Sequence, residues 1–158
     1  MRESLIIGSR GSRLALIQTE SVAAKIRALA PRLNISIRRI VTAGDRDRCH
    51  SLDQIGTAVF VKELEEALLA GQIDLAVHSL KDVPTEIPAG LCLPAVLTRL
   101  DPRDVLVANS PLDAMAPGSV IGTDSLRRTV QFLKIRPDLS VCDIRGNVDT
   151  RQIGRAHD

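Results

Sequence analysis

Aromatic side chains are almost missing from this 158-residue chain, which contains two phenylalanines and neither tyrosine nor tryptophan. Surfaces that bind single-stranded nucleic acid stack the bases on aromatic rings, so the composition argues against this mode of binding. An excess of positive charge is missing too, because 21 lysines and arginines are balanced by 19 acidic residues, for a net charge of +2. We therefore expect no nucleic-acid partner.

Cysteine is scarce, and long apolar runs are absent. Cys49, Cys92 and Cys142 are odd in number, widely separated and without a CxxC motif, which suits a reducing compartment better than a disulfide framework. The three histidines are not spaced like zinc ligands, so we predict no metal site. No run approaches the roughly 18 apolar residues of a membrane span, and the first residues lack the apolar stretch of a signal peptide. These features predict a cytoplasmic protein without a membrane partner.

Strand-like and helix-like patterns alternate along the chain, which predicts an α/β fold with mostly parallel sheets. Ser12 is expected to cap the first helix, in which apolar residues recur at helical spacing until Pro31. A polar stretch at residues 42–57 is predicted to be a long loop. The predicted strands are residues 5–8, 35–41, 73–77, 105–107, 119–122 and 139–144; the later predicted helices are residues 60–69, 123–134 and a short stretch near the end. In the first helix, the apolar residues at helical spacing are Leu14, Ile17, Val22, Ile26 and Leu29. In the helix predicted at residues 123–134, the same spacing places Leu126, Val130 and Leu133 on the inward face.

A charged cluster at residues 101–104 interrupts the apolar pattern and marks a boundary, because Pro102 biases the preceding residue away from helix. We predict a first domain over residues 1–99 and a second over residues 100–158. The second stretch is about half as long as a typical domain, so we expect the second domain to be incomplete.

The most informative motif is His78-Ser79-Leu80-Lys81-Asp82-Val83-Pro84, directly after the predicted strand at residues 73–77. Burying either charge alone is costly, so Lys81 and Asp82 are expected at a cleft, where α/β sheets place their ligands. A carboxylate beside a positive charge stays ionised there and can stabilise a cation that forms during a reaction. A solvated ion pair in a loop explains this motif alone equally well.

A second group of residues is basic and lies at predicted strand ends and helix starts. Helix N-termini offer free backbone N–H groups, and guanidinium groups bind carboxylates bidentately, so the group predicts a site for carboxylates or phosphates. It consists of Arg10, Arg127, Arg128, Arg145 and Arg151, with Ser12 and Ser125 at the helix starts. The alternative is ordinary surface arginine, paired with Asp138, Asp143 and Asp149.

Seven segments follow one another in a specific order. They are residues 8–16 (GSRGSRLAL), 41–45 (VTAGD), 60–65 (FVKELE), 76–84 (AVHSLKDVP), 101–104 (DPRD), 122–128 (GTDSLRR) and 145–151 (RGNVDTR). In this order and over nearly the whole chain, the sequence resembles the hydroxymethylbilane synthase family, also called the porphobilinogen deaminase family.

The resemblance implies an enzyme that joins four porphobilinogen units head to tail, with loss of ammonia, to give hydroxymethylbilane. It implies two lobes like those of periplasmic binding proteins, the second one incomplete here, with the active site between them. In this family, the chain of pyrrole rings grows from a dipyrromethane cofactor that is attached to a cysteine of a third domain. We expect this third domain to be absent from the chain. By the same resemblance, Asp82 binds the pyrrole nitrogens and stabilises the cationic azafulvene formed on deamination. The carboxylates of cofactor and substrate are then held by Arg10, Ser12, Lys81, Ser125, Arg127, Arg128, Arg145 and Arg151.

Two departures from the family pattern stand out. Gly-Thr-Ala-Val-Phe at residues 56–60 replaces the usual Gly-Lys-Gly-Leu-Phe, and residues 152–158 match nothing in the family. We expect a full-length protein to be a monomer, and the chain alone to be inactive and to self-associate. Two alternatives remain: a non-catalytic two-lobed module that binds a small polyanion, and a nucleic-acid binder using the basic stretch 127–155. The Lys81–Asp82 pair argues against the first, and the composition argues against the second.

Overall fold

The chain divides into two compact units, Met1–Thr98 and Arg99–Asp158. The structure, a computed structural model, describes residues 3–42, 61–144 and 146–154. The loop predicted at residues 42–57 lies almost entirely outside the described residues, as do Cys49 and Phe60.

The first unit is built on a parallel three-stranded sheet. Its central strand β1 (Ser4–Arg10) lies between β2 (Asn34–Ile40) and β3 (Leu75–Ala76), in the order β2-β1-β3. Helix α1 (Arg13–Leu29) connects β1 to β2, as parallel neighbours require a crossover. This arrangement confirms the predicted α/β class with parallel strands.

Helix α1 begins where the sequence predicts. The side chain of Ser12 accepts a hydrogen bond from the backbone N–H of Ala15 at 3.3 Å, which satisfies one of the free N–H groups of the first turn. The buried positions of the helix are Thr19 and Ala23. Three of the apolar residues at helical spacing are instead exposed: Leu14, Ile17 and Leu29.

Helix α2 (Lys62–Leu69) supplies the core of the first unit. Leu64 and Ala67 are buried on its inner face and pack with Ile73, as the apolar spacing predicts. The helix ends before Gly71, whose φ of +66° is a left-handed conformation that favours glycine. The described helix starts at Lys62, two residues after the predicted start.

Strand β3 is much shorter than the predicted strand at residues 73–77. Only Leu75 and Ala76 pair with β1 in the regular ladder. Just before them, Asp74 donates its backbone N–H to Ile6 O at 2.8 Å, and its carboxylate accepts the N–H of Ile6 at 2.7 Å. A side-chain oxygen therefore replaces a backbone carbonyl at this point of the ladder.

Substituting Gly8 by alanine should destabilise the first unit by about 1–3 kcal/mol, the usual cost of overpacking a core. A Cβ at this position would lie 2.3 Å from Ile73 Cδ1 and 2.8 Å from Leu64 Cδ2, and both side chains are buried. Gly11→Ala is the control, because nothing lies within 4 Å of a Cβ there. Urea unfolding of the two variants checks this, and equal midpoints would contradict it.

The second unit has a parallel pair of strands and two helices. Strand β4 (Val120–Gly122) pairs with β5 (Ser140–Cys142), helix α3 (Leu126–Ile135) connects them, and α4 (Val148–Gly154) follows. Ile121 and Leu139 are its buried apolar residues. All four elements lie where the sequence predicts, although β5 covers only part of the predicted strand at residues 139–144.

Two expectations for the second unit are wrong. The predicted strand at residues 105–107 has no regular secondary structure, and Val105 is 84% exposed, because the described sheets offer it no strand partner. The predicted inward face of α3 is not covered either: Leu126 is 79% exposed, and Val130 and Leu133 are exposed as well. Within the described ranges, no helix combines the length and apolar character that crossing a membrane requires.

Candidate functional site

Polar side chains of the first unit collect at the carboxyl ends of two neighbouring strands. Arg10 is the last residue of β1, and a short 3₁₀ turn at Leu80–Asp82 follows β3. The turn is closed by a hydrogen bond from the backbone N–H of Asp82 to Ser79 O at 2.9 Å. Because β1 and β3 are parallel, their carboxyl ends share one edge of the sheet, where α/β proteins place ligands.

The structure brings Arg10 and Asp82 together. Their nearest charged atoms, Arg10 Nη1 and Asp82 Oδ2, are 3.8 Å apart, and the two side chains are only 16% and 22% exposed. Lys81, which the sequence places next to Asp82, is exposed. The positive charge beside the Asp82 carboxylate is therefore the guanidinium of Arg10, a residue 72 positions away, rather than the adjacent ammonium of Lys81.

His78 lies at the same edge, and the sequence argument assigned it no role. Burial lowers the pKa of His78 below its ordinary value of 6.5; nearby Asp82 opposes this shift and nearby Arg10 adds to it. Burial therefore favours the neutral form of the imidazole over a second positive charge beside Arg10. Its place in the 76–84 motif is the only sequence signal that could have identified it.

The stability of the chain should fall as the pH is lowered through 6.5, the ordinary pKa of histidine, because of His78. Because the pKa of the imidazole is lowered in the folded state, the unfolded chain binds more protons as the pH falls through 6.5, so the contribution of the neutral imidazole is present above this pH and lost below it. The urea midpoint of the chain, measured relative to that of the His78→Gln variant, should therefore fall as the pH is lowered through 6.5. A difference independent of pH would contradict the lowered pKa.

Hydrogen bonds connect this edge to helix α1. Ser79 donates its hydroxyl to Gln18 Oε1 at 2.9 Å, and the hydroxyl of Thr19 donates to that of Ser9, at the end of β1, at 2.8 Å. Ser9 and Thr19 are fully buried. These contacts fix the turn that carries Asp82 against the helix that Ser12 caps. Sequence reasoning missed them because their partners are distant in the chain.

Three predicted site residues of the second unit, Ser125, Arg127 and Arg128, lie at the start of α3. Ser125 is the residue before the helix, but its side chain makes no capping hydrogen bond; its backbone N–H donates to Thr123 Oγ1 at 3.2 Å. Arg127 and Arg128 are in the first turn, and Arg127 is exposed. Arg145 lies outside the described residues.

Two of these arginines are paired with carboxylates of the chain. Arg128 donates to both oxygens of Asp104, at 3.0 and 2.6 Å, and Arg151 donates to both oxygens of Asp124, at 3.0 Å each. The hydrogen bonds from Arg128 lower the pKa of Asp104. Arginine pairing is thus present, as the alternative interpretation proposed, but with partners that the sequence did not suggest.

Comparison with known proteins decides the family. Residues 5–154 match the family model described as porphobilinogen deaminase, dipyromethane cofactor binding domain. The chain belongs to the porphobilinogen deaminase family. The expectation that residues 152–158 match nothing in the family is therefore wrong for residues 152–154.

Curated porphobilinogen deaminases share about half of their aligned residues with the chain. That of Geobacillus kaustophilus is 50% identical over 151 residues, which are 94% of the chain and 49% of that protein. That of Rubrobacter xylanophilus is 50% identical over 156 residues, 96% of the chain and 50% of that protein. That of Syntrophus aciditrophicus is 50% identical over 148 residues, with 92% and 48% covered. The chain therefore spans about half the length of the curated porphobilinogen deaminases that it matches.

Proposed function

We propose that this chain is the N-terminal portion of a hydroxymethylbilane synthase, a transferase of tetrapyrrole biosynthesis. The complete enzyme condenses four porphobilinogen units into hydroxymethylbilane and releases ammonia. Membership of the porphobilinogen deaminase family supports the reaction class. The observation that carries the proposal to particular residues is the Arg10–Asp82 pair at the carboxyl end of β1.

Asp82 is proposed to act on the reacting pyrrole. Its carboxylate accepts the pyrrole N–H and opposes the positive charge that develops on the substrate when ammonia leaves. The side chain is mostly shielded from water, so this charge interaction is weakly screened. A module that only binds polyanions gains nothing from a shielded carboxylate in its site, which favours the enzyme over that alternative.

The residues present fit the dipyrromethane cofactor of the family in chemical type. A dipyrromethane carries pyrrole N–H groups, which a carboxylate accepts, and acetate and propionate groups, which guanidinium, ammonium and hydroxyl groups bind. The first unit supplies Arg10 and Asp82 at one strand edge, and the second supplies exposed Arg127 at a helix start. When bound, this group supplies the pyrrole end on which the chain of rings grows.

The remaining site residues are proposed to orient the ring carboxylates of cofactor and substrate. They are Ser12, Lys81, Ser125, Arg127, Arg128, Arg145 and Arg151. We propose further that the two units correspond to the two periplasmic-binding-protein-like lobes of the complete protein, which works as a monomer in the cytoplasm. Porphobilinogen is the proposed small-molecule partner.

A chimera tests the function. This chain replaces the aligned half of the Geobacillus kaustophilus relative, and the purified product is incubated with porphobilinogen. Released ammonia, and uroporphyrin formed after oxidation, are measured. We expect both to appear, as they do with the parent enzyme. A folded chimera that binds porphobilinogen without releasing ammonia would favour the polyanion-binding module instead.

A further inference from the structure

The arginines of the second unit differ in how many of their guanidinium nitrogens donate hydrogen bonds to other groups of the chain. Arg151 uses all three nitrogens: Nε donates to Gly146 O at 2.8 Å, and Nη1 and Nη2 donate to Asp124. Arg136 also uses all three, donating to Asp138 and to backbone carbonyls of the loop before β4. Both guanidinium groups hold parts of the chain together through all three nitrogens.

Arg128 is held along one edge only. Its Nε and Nη2 donate to the two oxygens of Asp104, and no part of the chain that the structure describes accepts a hydrogen bond from Nη1. The side chains of Arg128 and Asp104 are 42% and 56% exposed, so the pair lies at the surface of the second unit. A guanidinium has five N–H donors in a planar fork, so the second edge of Arg128 can receive a second carboxylate bidentately.

We propose that Asp104 is a positioning residue for Arg128. It fixes the guanidinium through the Nε–Nη2 edge and turns the Nη1–Nη2 edge outward to receive a ring carboxylate of porphobilinogen or of the cofactor. The proposal rests on the proposed function and deepens it, because it assigns a role to a residue with no assigned part in the site.

Two physical effects support the positioning role. An arginine whose rotamer is already fixed loses less conformational entropy when it binds a ligand. Arg128 also lies in the first turn of α3, where the positive end of the helix dipole favours a bound anion. The negative charge of Asp104 opposes that anion, but both groups are exposed, so the surrounding water weakens the repulsion. The affinity of the Asp104→Asn variant decides which of the two effects is larger.

Titration of the chain with porphobilinogen tests this, with the Nε–Hε NMR signals of the arginines as the readout. The Arg128 signal should shift on titration, and Asp104→Asn should weaken the affinity about three- to fivefold, the upper part of the range of an exposed ion pair. Asp104→Glu, which keeps the charge, should recover part of the loss. An Arg128 signal that does not respond, or an unchanged or tighter affinity in Asp104→Asn, would overturn the proposal.

Asp101→Asn is the matched control. Asp101 makes the same kind of two-oxygen pair with Arg103, and both side chains are again exposed, but the partner is only two residues away in the chain. Removing this carboxylate should leave the porphobilinogen affinity unchanged. An equal loss in the two variants would mean that general charge, rather than the position of Arg128, sets the affinity.

Kinetics of the chimera separate this proposal from the proposed function. Asp104→Asn should raise KM for porphobilinogen about three- to fivefold and leave kcat within about twofold, because Arg128 contacts a bound carboxylate and no reacting atom. Suppose the wild-type chimera is inactive, but porphobilinogen still shifts the Arg128 signal and this shift is weakened in Asp104→Asn. That result would refute the synthase and keep the positioning role. An active chimera in which Asp104→Asn leaves KM unchanged would keep the synthase and refute the positioning role.

Discussion

Asp82→Asn should lower porphobilinogen turnover in the chimera by about 10²- to 10³-fold, the usual cost of removing one preorganised electrostatic contact from an active site. Asparagine keeps the size of the side chain and one hydrogen-bond acceptor, but it cannot oppose the positive charge that develops when ammonia leaves. Asp82 is also the carboxylate beside Arg10, so the substitution removes a negative charge next to a mostly shielded guanidinium. The rate of ammonia release measures the effect.

Glu86→Gln is the control for this variant, since Glu86 is an exposed carboxylate four residues further along the chain. Its turnover should stay close to wild type, because surface substitutions away from a site have small effects. Thermal melting of both variants separates a chemical defect from unfolding. If Asp82→Asn kept turnover within about threefold of wild type, Asp82 would have no part in the chemistry.

The neighbourhood of Asp82 shows what the sequence could predict and what it could not. A Lys-Asp pair after a predicted strand correctly predicts charged groups at the carboxyl end of a parallel sheet. The sequence could not predict which positive charge lies beside Asp82, because Arg10 comes close to Asp82 only when β1 and β3 pair in their observed register. Adjacency in the chain is a weak guide to contact when the two residues belong to a tight turn.

Local signals were reliable where one residue decides the structure. Ser12 begins α1 because its hydroxyl accepts a backbone N–H three residues on, a contact that needs no tertiary information. Periodicity was less reliable: it identified the apolar face of α3 but not whether anything covers it, and Leu126 is exposed. The predicted strand at residues 105–107 failed for a related reason, because a strand needs a partner to pair with.

Ion pairs of the second unit were beyond sequence reasoning. Asp104 and Arg128 are 24 residues apart, and the charge pattern offers several equivalent partners for each arginine. Asp104 does lie in the 101–104 motif and Asp124 in the 122–128 motif, so both positions carried a signal of importance without a role. The shared site for carboxylates or phosphates that the sequence predicts for Arg10, Arg127, Arg128 and Arg145 stays a prediction.

Leu64→Ala should lower the free energy of unfolding of the first unit by about 2–5 kcal/mol, the range for removing a buried leucine side chain. Leu64 is fully buried, packs with Ala67 and Ile73, and is surrounded by partly buried residues of the sheet. Its neighbours are held by the strand ladder and by the body of α2, so they can close the resulting cavity only in part. Urea unfolding of the chain measures the loss.

Leu69→Ala removes the same atoms from the same helix at a position that is 56% exposed, and it should cost far less. The comparison bears on function because Leu64 supports both strands of the site. Leu64 lies under Gly8 of β1, and Gly8 precedes Arg10 by two residues. Leu64 also packs against Ile73, which precedes β3 and the turn that carries Asp82. In the chimera, Leu64→Ala should therefore lose activity in step with unfolding on heating, with KM unchanged where the protein is folded. A similar small cost for both leucines would mean that this core does not support the strand edge carrying Arg10 and Asp82.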